Sequence, residues 1–199
     1  MFNVYFNEYN LLLGSGGISY LPFVSGILSA NAKKEERLKK NFSFQPFIFV
    51  PDTPENIIKT YYKKKPHIAV FSISMWNEQL SLSVAKQVKE KWSPLIIFGG
   101  PSCPHDPTDF FKKYPFIDVC VRAEGEDAFN QILNKYLDDT NFIDIPNVSF
   151  KDKNHKCIIN YNALKFNRDL SMYPSPYLTG EYDYLFENKN EHNYQIIIE

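Results

Sequence analysis

The chain has 199 residues, 44% of them hydrophobic, which is enough to bury the core of one main domain with an appendage. Its 22 Lys and Arg residues balance 23 Asp and Glu residues, and the net charge of -1 argues against nucleic acid or an anionic membrane surface as a partner. No uncharged apolar run is long enough to cross a bilayer, and the N-terminus lacks the basic-then-apolar layout of a signal peptide. We therefore expect a cytoplasmic protein with no membrane partner.

The opening residues Phe2 to Phe6 are β-branched and aromatic, and they predict a first strand. The loop that follows carries the cluster Gly14, Ser15, Gly16 and Gly17, where the backbone can approach a ligand closely. The cluster does not match the dinucleotide fingerprint, because Ser19 stands where the last glycine should be. An ordinary surface loop and a binding loop are both open at this stage.

Apolar residues then recur at helical spacing, at Leu21, Val24, Ile27 and Leu28. They predict one helix that runs out into the charged stretch from Lys33 to Lys40. A second strand is predicted from Phe44 to Val50. Thr53-Pro54-Glu55 is a helix start signal, with Thr53 as the N-cap.

Two short apolar strands without alternation follow, as expected for a parallel sheet that helices cover on both faces. The first, residues 66–71, ends in Ser72-Ile73-Ser74, and the second, residues 94–98, ends in Gly99-Gly100-Pro101. Ligands of open α/β sheets bind outside the carboxyl ends of the strands. These two turns are therefore the predicted binding crevice.

A helix with apolar residues at four-residue spacing separates the two strands, and Asp106-Pro107 predicts the start of a short helix after the second. A fifth strand, Ile117 to Val121, leads through Glu124-Gly125-Glu126 into the clearest amphipathic pattern of the chain. Carboxylates at such a helix start are favoured by its dipole, so we interpret Glu124 and Glu126 as capping charges rather than an acid/base pair. Five alternations of strand and helix predict a doubly wound, five-stranded parallel sheet.

The pattern changes after Thr140, which divides the chain into a predicted domain at residues 1–140 and an appendage at residues 141–199. Two short strands around the polar turn from Lys151 to Lys156 predict a β-hairpin. The proline-rich stretch from Tyr173 to Tyr182 is extended and aromatic, with little reason to fold alone.

Three cysteines, Cys103, Cys120 and Cys157, are widely spaced and form no Cys-x-x-Cys pair of the kind that begins many zinc or iron–sulfur sites. We expect small buried or loop cysteines in a reducing compartment, and no metal bound by the thiols of this chain.

The order of these motifs resembles that of a known family. The Ser-x-Ser turn, the Gly-Gly-Pro strand end, Glu124-Gly125-Glu126, the hairpin and the Pro-Ser-Pro-Tyr-Leu-Thr-Gly segment follow one another as in the N-terminal cobalamin-binding domain of cobalamin-dependent radical SAM enzymes. The similarity spans nearly the whole chain, and the ordered set is more specific than any single motif.

The resemblance implies a flavodoxin-like, Rossmann-like domain that binds cobalamin through its first loop and strand ends. The implied binding residues are Gly14, Ser15, Gly16, Gly17, Ser72, Ser74, Met75, Gly99, Gly100, Pro101, Glu124 and Gly125. The nucleotide tail of the corrinoid would pass Ser72, Ser74 and the bare backbone at Gly99, while the ring lies across the carboxyl edge. Met75 and Trp76 would cover the lower face of the ring, although core packing is the more ordinary interpretation of both side chains.

Residues Ile196 to Glu199 resemble the first strand of a radical SAM barrel, so we expect that barrel to follow in a longer protein. The family implies that a [4Fe-4S] cluster there cleaves S-adenosylmethionine, and that the cobalamin serves methyl transfer or a related radical step. The barrel would be the partner of this domain. The chain alone is expected to have no turnover.

One motif of the wider cobalamin-binding class is missing, the Asp-x-His-x-x-Gly whose histidine ligates cobalt. The first loop reads Asn7-Glu8-Tyr9-Asn10 instead, and His105 is better interpreted as a loop residue than as a cobalt ligand. Radical SAM members commonly lack this histidine, so its absence fits them.

Its absence, together with the bulky Tyr9 and Leu11-Leu12-Leu13 in the first loop, also fits a degenerate domain that serves as a substrate-recognition or dimerisation scaffold. Such a domain would fill the crevice above Ser72 and Gly99 with side chains, whereas a cofactor domain would leave it open. A nucleotide-binding enzyme domain, the third alternative, needs a phosphate cradle in the first loop. A homodimer is open in each case.

Overall fold

The computed structural model of the protein describes residues 1–13, 18–160, 169–187 and 194–196. The strands are β1 Phe2–Asn7, β2 Leu12–Leu13, β3 Ile18–Tyr20, β4 Phe42–Phe44, β5 Ile68–Ser72, β6 Leu95–Gly99, β7 Val119–Val121, β8 Val148–Lys151, β9 Cys157–Ile159 and β10 Tyr194–Gln195. The helices are α1 Phe23–Lys34, α2 Glu36–Asn41, α3 Pro54–Tyr61, α4 Glu78–Trp92, α5 Thr108–Lys113, α6 Glu126–Asp138 and α7 Asp183–Glu187. Within these ranges no helix is long and apolar enough to cross a membrane.

The main sheet has seven strands in the order β4-β1-β5-β6-β7-β8-β9, and its first five strands are parallel. Numbered along the chain, those five stand in the order 2-1-3-4-5, which is the flavodoxin-like arrangement. The predicted hairpin is also present, as β8 and β9, and it continues the same sheet in antiparallel fashion from β7. The predicted fold class is thus confirmed.

Three helices cover each face of this sheet because strand side chains alternate between its faces. Val4 and Phe6 of β1 pack with α1, α2 and α6, whereas Tyr5 between them packs with α3, α4 and α5. A smaller sheet, β10-β3-β2, lies apart from the main one. Because β1, β5, β6 and β7 pair in parallel, their carboxyl ends meet at one edge of the sheet.

Two predicted elements differ from those observed. The second strand is β4, which ends at Phe44, and only Ile48 beyond it forms an isolated bridge to Asn7. Pro46 lies between them, and it has no N–H to donate to a ladder. The single predicted helix is divided in two at Glu35, which is extended and accepts hydrogen bonds from two asparagine amides of α6, at 2.7 and 3.0 Å.

The aromatic segment at residues 169–187 packs against α1 of the same chain. Tyr182 is buried and donates a hydrogen bond from its hydroxyl to the Pro22 carbonyl at 3.1 Å. The buried carboxylate of Glu181 pairs with Lys33 of α1 at 2.8 Å, so part of the charged stretch has a partner. The division of the chain at residue 140 stays a prediction.

Gly26 of α1 makes this docking possible, and replacing it tests the contact. A Cβ at Gly26 would lie 2.1 Å from the Tyr182 hydroxyl oxygen and 2.9 Å from Cβ of Pro176. At an open helix position Gly→Ala would raise the free energy of unfolding by about 1 kcal/mol. For Gly26→Ala we instead expect the free energy of unfolding, measured by urea denaturation, to fall by about 1–2 kcal/mol, because overpacking outweighs helix propensity.

Tyr182→Phe supplies the control, since it removes the oxygen nearest to the added methyl group. The double variant is expected to lose less stability than the sum of the two single variants. A Gly26→Ala protein more stable than wild type would contradict the docking.

Candidate functional site

A cavity of about 650 Å³ opens at the carboxyl ends of β5, β6 and β7, on the face covered by α1 and α6. This volume lies in the range of about 300–1,000 Å³ that is usual for small-molecule and cofactor sites. Its apolar walls are Phe6, Phe23, Val24, Ile27, Leu28, Val70, Phe71, Ile97, Val121 and Phe129. A few polar residues interrupt them: Asn7, Ser25, Ser72, His105, Arg122, Glu124, Glu126, Asn147 and Asn160.

Half of the residues implied by the resemblance line this cavity: Ser72, Gly99, Gly100, Pro101, Glu124 and Gly125. Ser74 and Met75 do not line it. The four residues from Gly14 to Gly17 lie outside the described residues. Binding by any of the twelve stays a prediction.

The two glycines after β6 have different structural roles. Gly100 has a φ of 101°, and a Cβ there would lie 2.6 Å from the Ile73 carbonyl oxygen. Gly99 has an ordinary backbone, and a Cβ there would meet nothing closer than the Val121 carbonyl oxygen at 3.5 Å. The fold therefore requires glycine at Gly100, while Gly99 leaves open space in the wall of the cavity.

The Ser-x-Ser turn serves chiefly to start α4. Asn77 accepts a hydrogen bond from the Ser74 N–H at 2.9 Å, and its amide donates to the carbonyl oxygens of Tyr9 and Ser72, both at 3.1 Å. Met75 is 85% exposed and Trp76 is 54% exposed. The core-packing interpretation of these two side chains is therefore wrong.

The end of β1 is held by a buried polar network. Asn7 accepts hydrogen bonds from the hydroxyls of Tyr9 and Tyr61, at 2.9 and 2.8 Å, and donates to the Val70 carbonyl at 3.0 Å. Burial raises the pKa of both tyrosines, so both hydroxyls keep their protons. No sequence pattern predicts this role for Asn7, because two of its three partners, Tyr61 and Val70, are distant along the chain.

Glu8 caps α1 from outside the helix. The residue at the N-cap is Pro22, which offers no side-chain hydrogen bond. One carboxylate oxygen of Glu8 accepts from the Ser25 N–H at 2.7 Å and from its hydroxyl at 2.8 Å, and the other accepts from the Val24 N–H at 3.4 Å. Burial raises the pKa of Glu8 to about 7 although these bonds favour the charged form.

Arg122 joins three segments beneath the cavity. Its guanidinium donates to the carbonyl oxygens of His105 at 2.6 Å, Asn160 at 2.8 Å and Asn147 at 3.5 Å. It therefore ties the loop after β6 to the hairpin. His105 lines the cavity and has an exposed side chain.

The carboxylates after β7 differ in their surroundings. Glu124 is exposed, whereas Glu126, the first residue of α6, has a buried Oε2 with no hydrogen-bond partner. Burial raises the pKa of Glu126, and the charges of Glu124 and Asp127 raise it further. The N-cap of α6 is Gly125. The position of Glu126 at a helix start is as predicted, and the residue is among those that line the cavity.

The three cysteines are free, and Cys120 is buried while Cys103 and Cys157 are half-buried, as predicted. Contact with Cys103, together with burial, raises the pKa of the Cys120 thiol. Among the residues with described positions, no three His, Cys, Asp or Glu side chains converge as metal ligands.

Two curated proteins and several solved structures are similar to this chain. No protein-family model matches the chain. The chain is 32% identical over 177 residues to the cobalamin-dependent radical SAM methyltransferase TokK of Streptomyces tokunonensis. It is 31% identical over 173 residues to the 2-(S-pantetheinyl)-carbapenam-3-carboxylate methyltransferase of Streptantibioticus cattleyicolor. Each match covers 86% of this chain and 25% of the relative, so the chain spans about a quarter of the length of these relatives.

A solved structure has the same fold. The cobalamin-dependent S-adenosylmethionine radical enzyme OxsB, with aqua-cobalamin and S-adenosylmethionine bound, superposes with a TM-score of 0.69 at 19% identity, over 92% of this chain and 25% of that one. The fold and cavity thus define a flavodoxin-like domain with a cavity at the carboxyl edge of its sheet. More particularly, the chain matches the cobalamin-binding domain of cobalamin-dependent radical SAM methyltransferases, and the resemblance seen in its sequence is confirmed.

The contrast between Gly99 and Gly100 can be measured directly. We expect Gly100→Ala to lower the free energy of unfolding by about 2 kcal/mol or more, because the left-handed backbone and the Ile73 carbonyl both oppose a Cβ. Gly99→Ala is the matched control and should change it by less than about 0.5 kcal/mol. If urea denaturation showed equal losses of unfolding free energy for Gly99→Ala and Gly100→Ala, the different roles of the two glycines would be contradicted.

Glu8 should make stability depend on pH. Its pKa is about 7 in the folded chain against 4.5 as a reference, so the folded state holds a proton that the unfolded state releases between these values. The stabilisation by neutral Glu8 is complete below pH 4.5 and is lost as the pH rises through about 7. At about 1.4 kcal/mol per pKa unit, the loss is on the order of 3 kcal/mol.

Glu8→Gln cannot ionise and still accepts from Ser25, so it should gain stability relative to wild type between pH 5 and pH 8 in urea denaturation. Glu55→Gln, at an exposed first-turn position of α3, is the control. Parallel pH profiles for wild type and Glu8→Gln would show that Glu8 does not titrate in this range.

Proposed function

We propose that this chain binds cobalamin, with the nucleotide tail in the cavity and the corrin ring across the carboxyl edge of the sheet. The observation that carries the proposal is the open cavity, which lies at the edge of the sheet where this fold binds ligands. The chain is also similar in sequence to a cobalamin-dependent enzyme. Its apolar walls suit the base and sugar of the tail, and its few polar groups suit their hydrogen-bonding atoms.

The residues at the strand ends fit this cofactor. Gly99 leaves room where a side chain would block the cavity, and Ser72 supplies a hydroxyl at the end of β5. Phe23 and Ile27 of α1 form the apolar side opposite the strands. When bound, the cobalamin would supply a cobalt centre for methyl transfer, while the chain holds and orients it.

In the whole protein we assign this chain to a radical SAM enzyme. A barrel with a [4Fe-4S] cluster that cleaves S-adenosylmethionine would be its partner, and methyl transfer is the activity we propose because both curated relatives are named methyltransferases. Three free cysteines suit the reducing cytoplasm. The homodimer stays a prediction, which sedimentation equilibrium would test.

The alternative of a degenerate scaffold is less well supported. It predicts that side chains fill the crevice above Ser72 and Gly99, whereas both residues border a cavity of about 650 Å³. The tight network around Asn7 explains the bulky Tyr9 in the first loop as a structural element, so Tyr9 gives no reason to infer a lost site.

Anaerobic absorbance titration of the chain with hydroxocobalamin and methylcobalamin tests the proposal. We expect a saturable spectral change for wild type. Gly99→Trp and Ser72→Trp should abolish it, because an indole at either position projects into space that the tail needs.

Lys153→Trp is the matched control, since Lys153 is exposed in the turn between β8 and β9 and does not line the cavity. It should bind as wild type does, and circular dichroism should show that all three variants fold. A wild-type chain without a saturable change, or tryptophan variants that bind unchanged, would contradict the proposed function.

A further inference from the structure

We propose that the side-chain amide of Asn147 binds a carboxamide group of the corrin ring at the carboxyl edge of the sheet. The inference rests on the proposed function and assigns one contact with the ring to one residue of this chain.

Asn147 has hydrogen-bonding capacity that the fold does not use. The residue lines the cavity and is only 8% exposed. Its backbone carbonyl accepts from Arg122, but neither the oxygen nor the nitrogen of its side-chain amide has a hydrogen-bond partner among the described residues. Neither atom is sealed from solvent, so a ligand in the cavity can reach both. A buried amide without partners is costly, and a ligand that bonds to it would relieve that cost.

A second asparagine amide lies on the neighbouring strand of the hairpin. Asn160 lines the same cavity and is 7% exposed, and its N–H donates to the Val148 carbonyl at 3.3 Å, next to Asn147. Its side-chain NH₂ donates to the carbonyl oxygens of Phe142 and Ile145 at 3.0 and 2.9 Å, which fixes the orientation of the amide. The Asn160 Oδ1 has no partner within the described ranges and keeps access to solvent. It is therefore a second acceptor that a ligand can use.

Arg122 holds both asparagines in place. It is the first residue beyond β7, and its N–H donates to the Asn147 carbonyl at 3.1 Å. Its guanidinium donates to the backbone carbonyls of Asn147 and Asn160, at 3.5 and 2.8 Å. The two amides are thus attached to backbone that is fixed at the carboxyl end of β7, and little ordering is needed when a ligand binds.

The chemistry of the two amides favours a neutral group that both donates and accepts hydrogen bonds. Asn147 offers one oxygen and two N–H groups, and Asn160 adds an oxygen, without any charge. A phosphate only accepts hydrogen bonds and would leave the Asn160 oxygen unpaired, whereas a primary carboxamide satisfies both kinds of atom. The corrin ring carries primary carboxamides around its rim, and the proposed function lays that ring across this edge. A ring carboxamide is therefore the group that fits.

The backbone gives a structural alternative that the experiment must separate. Asn147 has a φ of 59°, in the left-handed region where asparagine is better tolerated than most residues. Glycine adopts this conformation without a steric cost. Asn147→Gly therefore removes the amide while it keeps the backbone that the turn before β8 requires.

The test is the dissociation constant of hydroxocobalamin and of cobinamide, measured by absorbance titration. Cobinamide keeps the ring carboxamides and lacks the nucleotide, so a contact with the ring is present in both ligands. We expect Asn147→Gly to weaken the binding of both by about tenfold, as for the loss of two neutral hydrogen bonds.

Asn154→Gly is the matched control, because Asn154 is exposed in the turn of the same hairpin and does not line the cavity. It should bind both corrinoids as wild type does. Thermal unfolding without ligand should give Asn147→Gly a melting temperature close to that of wild type, since the amide bonds to nothing in the described fold. Weaker binding together with a clearly lowered melting temperature would overturn the inference in favour of a structural role.

The other outcomes are also decisive. Unchanged binding by Asn147→Gly, while wild type binds, would overturn the inference and leave the proposed function in place. A loss confined to cobalamin, or a wild-type chain that binds cobalamin but not cobinamide, would assign the affinity to the nucleotide and would also overturn it. A wild-type chain that binds neither corrinoid would overturn the proposed function, and this inference with it.

Discussion

The close approach of two backbone turns at Gly100 determines the shape of the carboxyl edge. Beyond the last paired residues of β5 and β6, the Ile73 N–H donates to the Gly99 carbonyl at 2.8 Å, and the Ser102 N–H donates to the Ile73 carbonyl at 3.1 Å. These bonds require a residue at Gly100 without a Cβ. They hold the loop after β6 against the turn that starts α4, so that Gly99 remains as bare backbone facing the cavity. The opening of the site is therefore a consequence of how the two strands end.

Two glutamates at helix starts show how far the surroundings of one residue type can differ. The carboxylate of Glu8 has three donors within the chain, and those bonds position α1 over β1. The carboxyl of Glu126 lies at the equivalent end of α6 and has a buried oxygen with no partner. Natural proteins rarely leave such an atom unsatisfied. The difference in partners, not in sequence motif, separates these two carboxylates.

Sequence patterns predicted the main sheet well, because a buried strand requires apolar residues along its own length and a turn or cap requires particular residue types at its own position. Apolar strands, the Thr53 cap and the turns at Ser72 and Gly99 all lie where their residue types require. One of the two errors occurred where a partner far along the chain decides the outcome, and the other where a local signal was overlooked. The break at Glu35 depends on amides of α6, and the early end of β4 depends on Pro46, a local signal that the apolar pattern around it concealed.

The same reason explains which parts of the site could not be predicted. Apart from the Tyr9 hydroxyl, the partners of Asn7 and Arg122 are backbone carbonyls and a hydroxyl between 17 and 63 residues away, and no spacing rule relates them. Met75 was placed at the site by resemblance; its side chain is exposed and lies outside the cavity wall, and its contact with a corrin ring stays a prediction. The crevice predicted at the strand ends coincides with a cavity, but only the folded chain separates Gly99, which borders that cavity, from Gly100, where the backbone requires glycine.

The end of β1 bears on how a cofactor could be retained without a histidine in the first loop. Asn7, Tyr9 and Tyr61 bond one another in the core, so this stretch is committed to the fold and offers no imidazole toward the edge. Affinity must then come from burying the tail, since each 100 Å² of apolar surface removed from water contributes about 2.5 kcal/mol, more than one net hydrogen bond of about 1 kcal/mol. On this basis the apolar walls would supply most of the binding free energy.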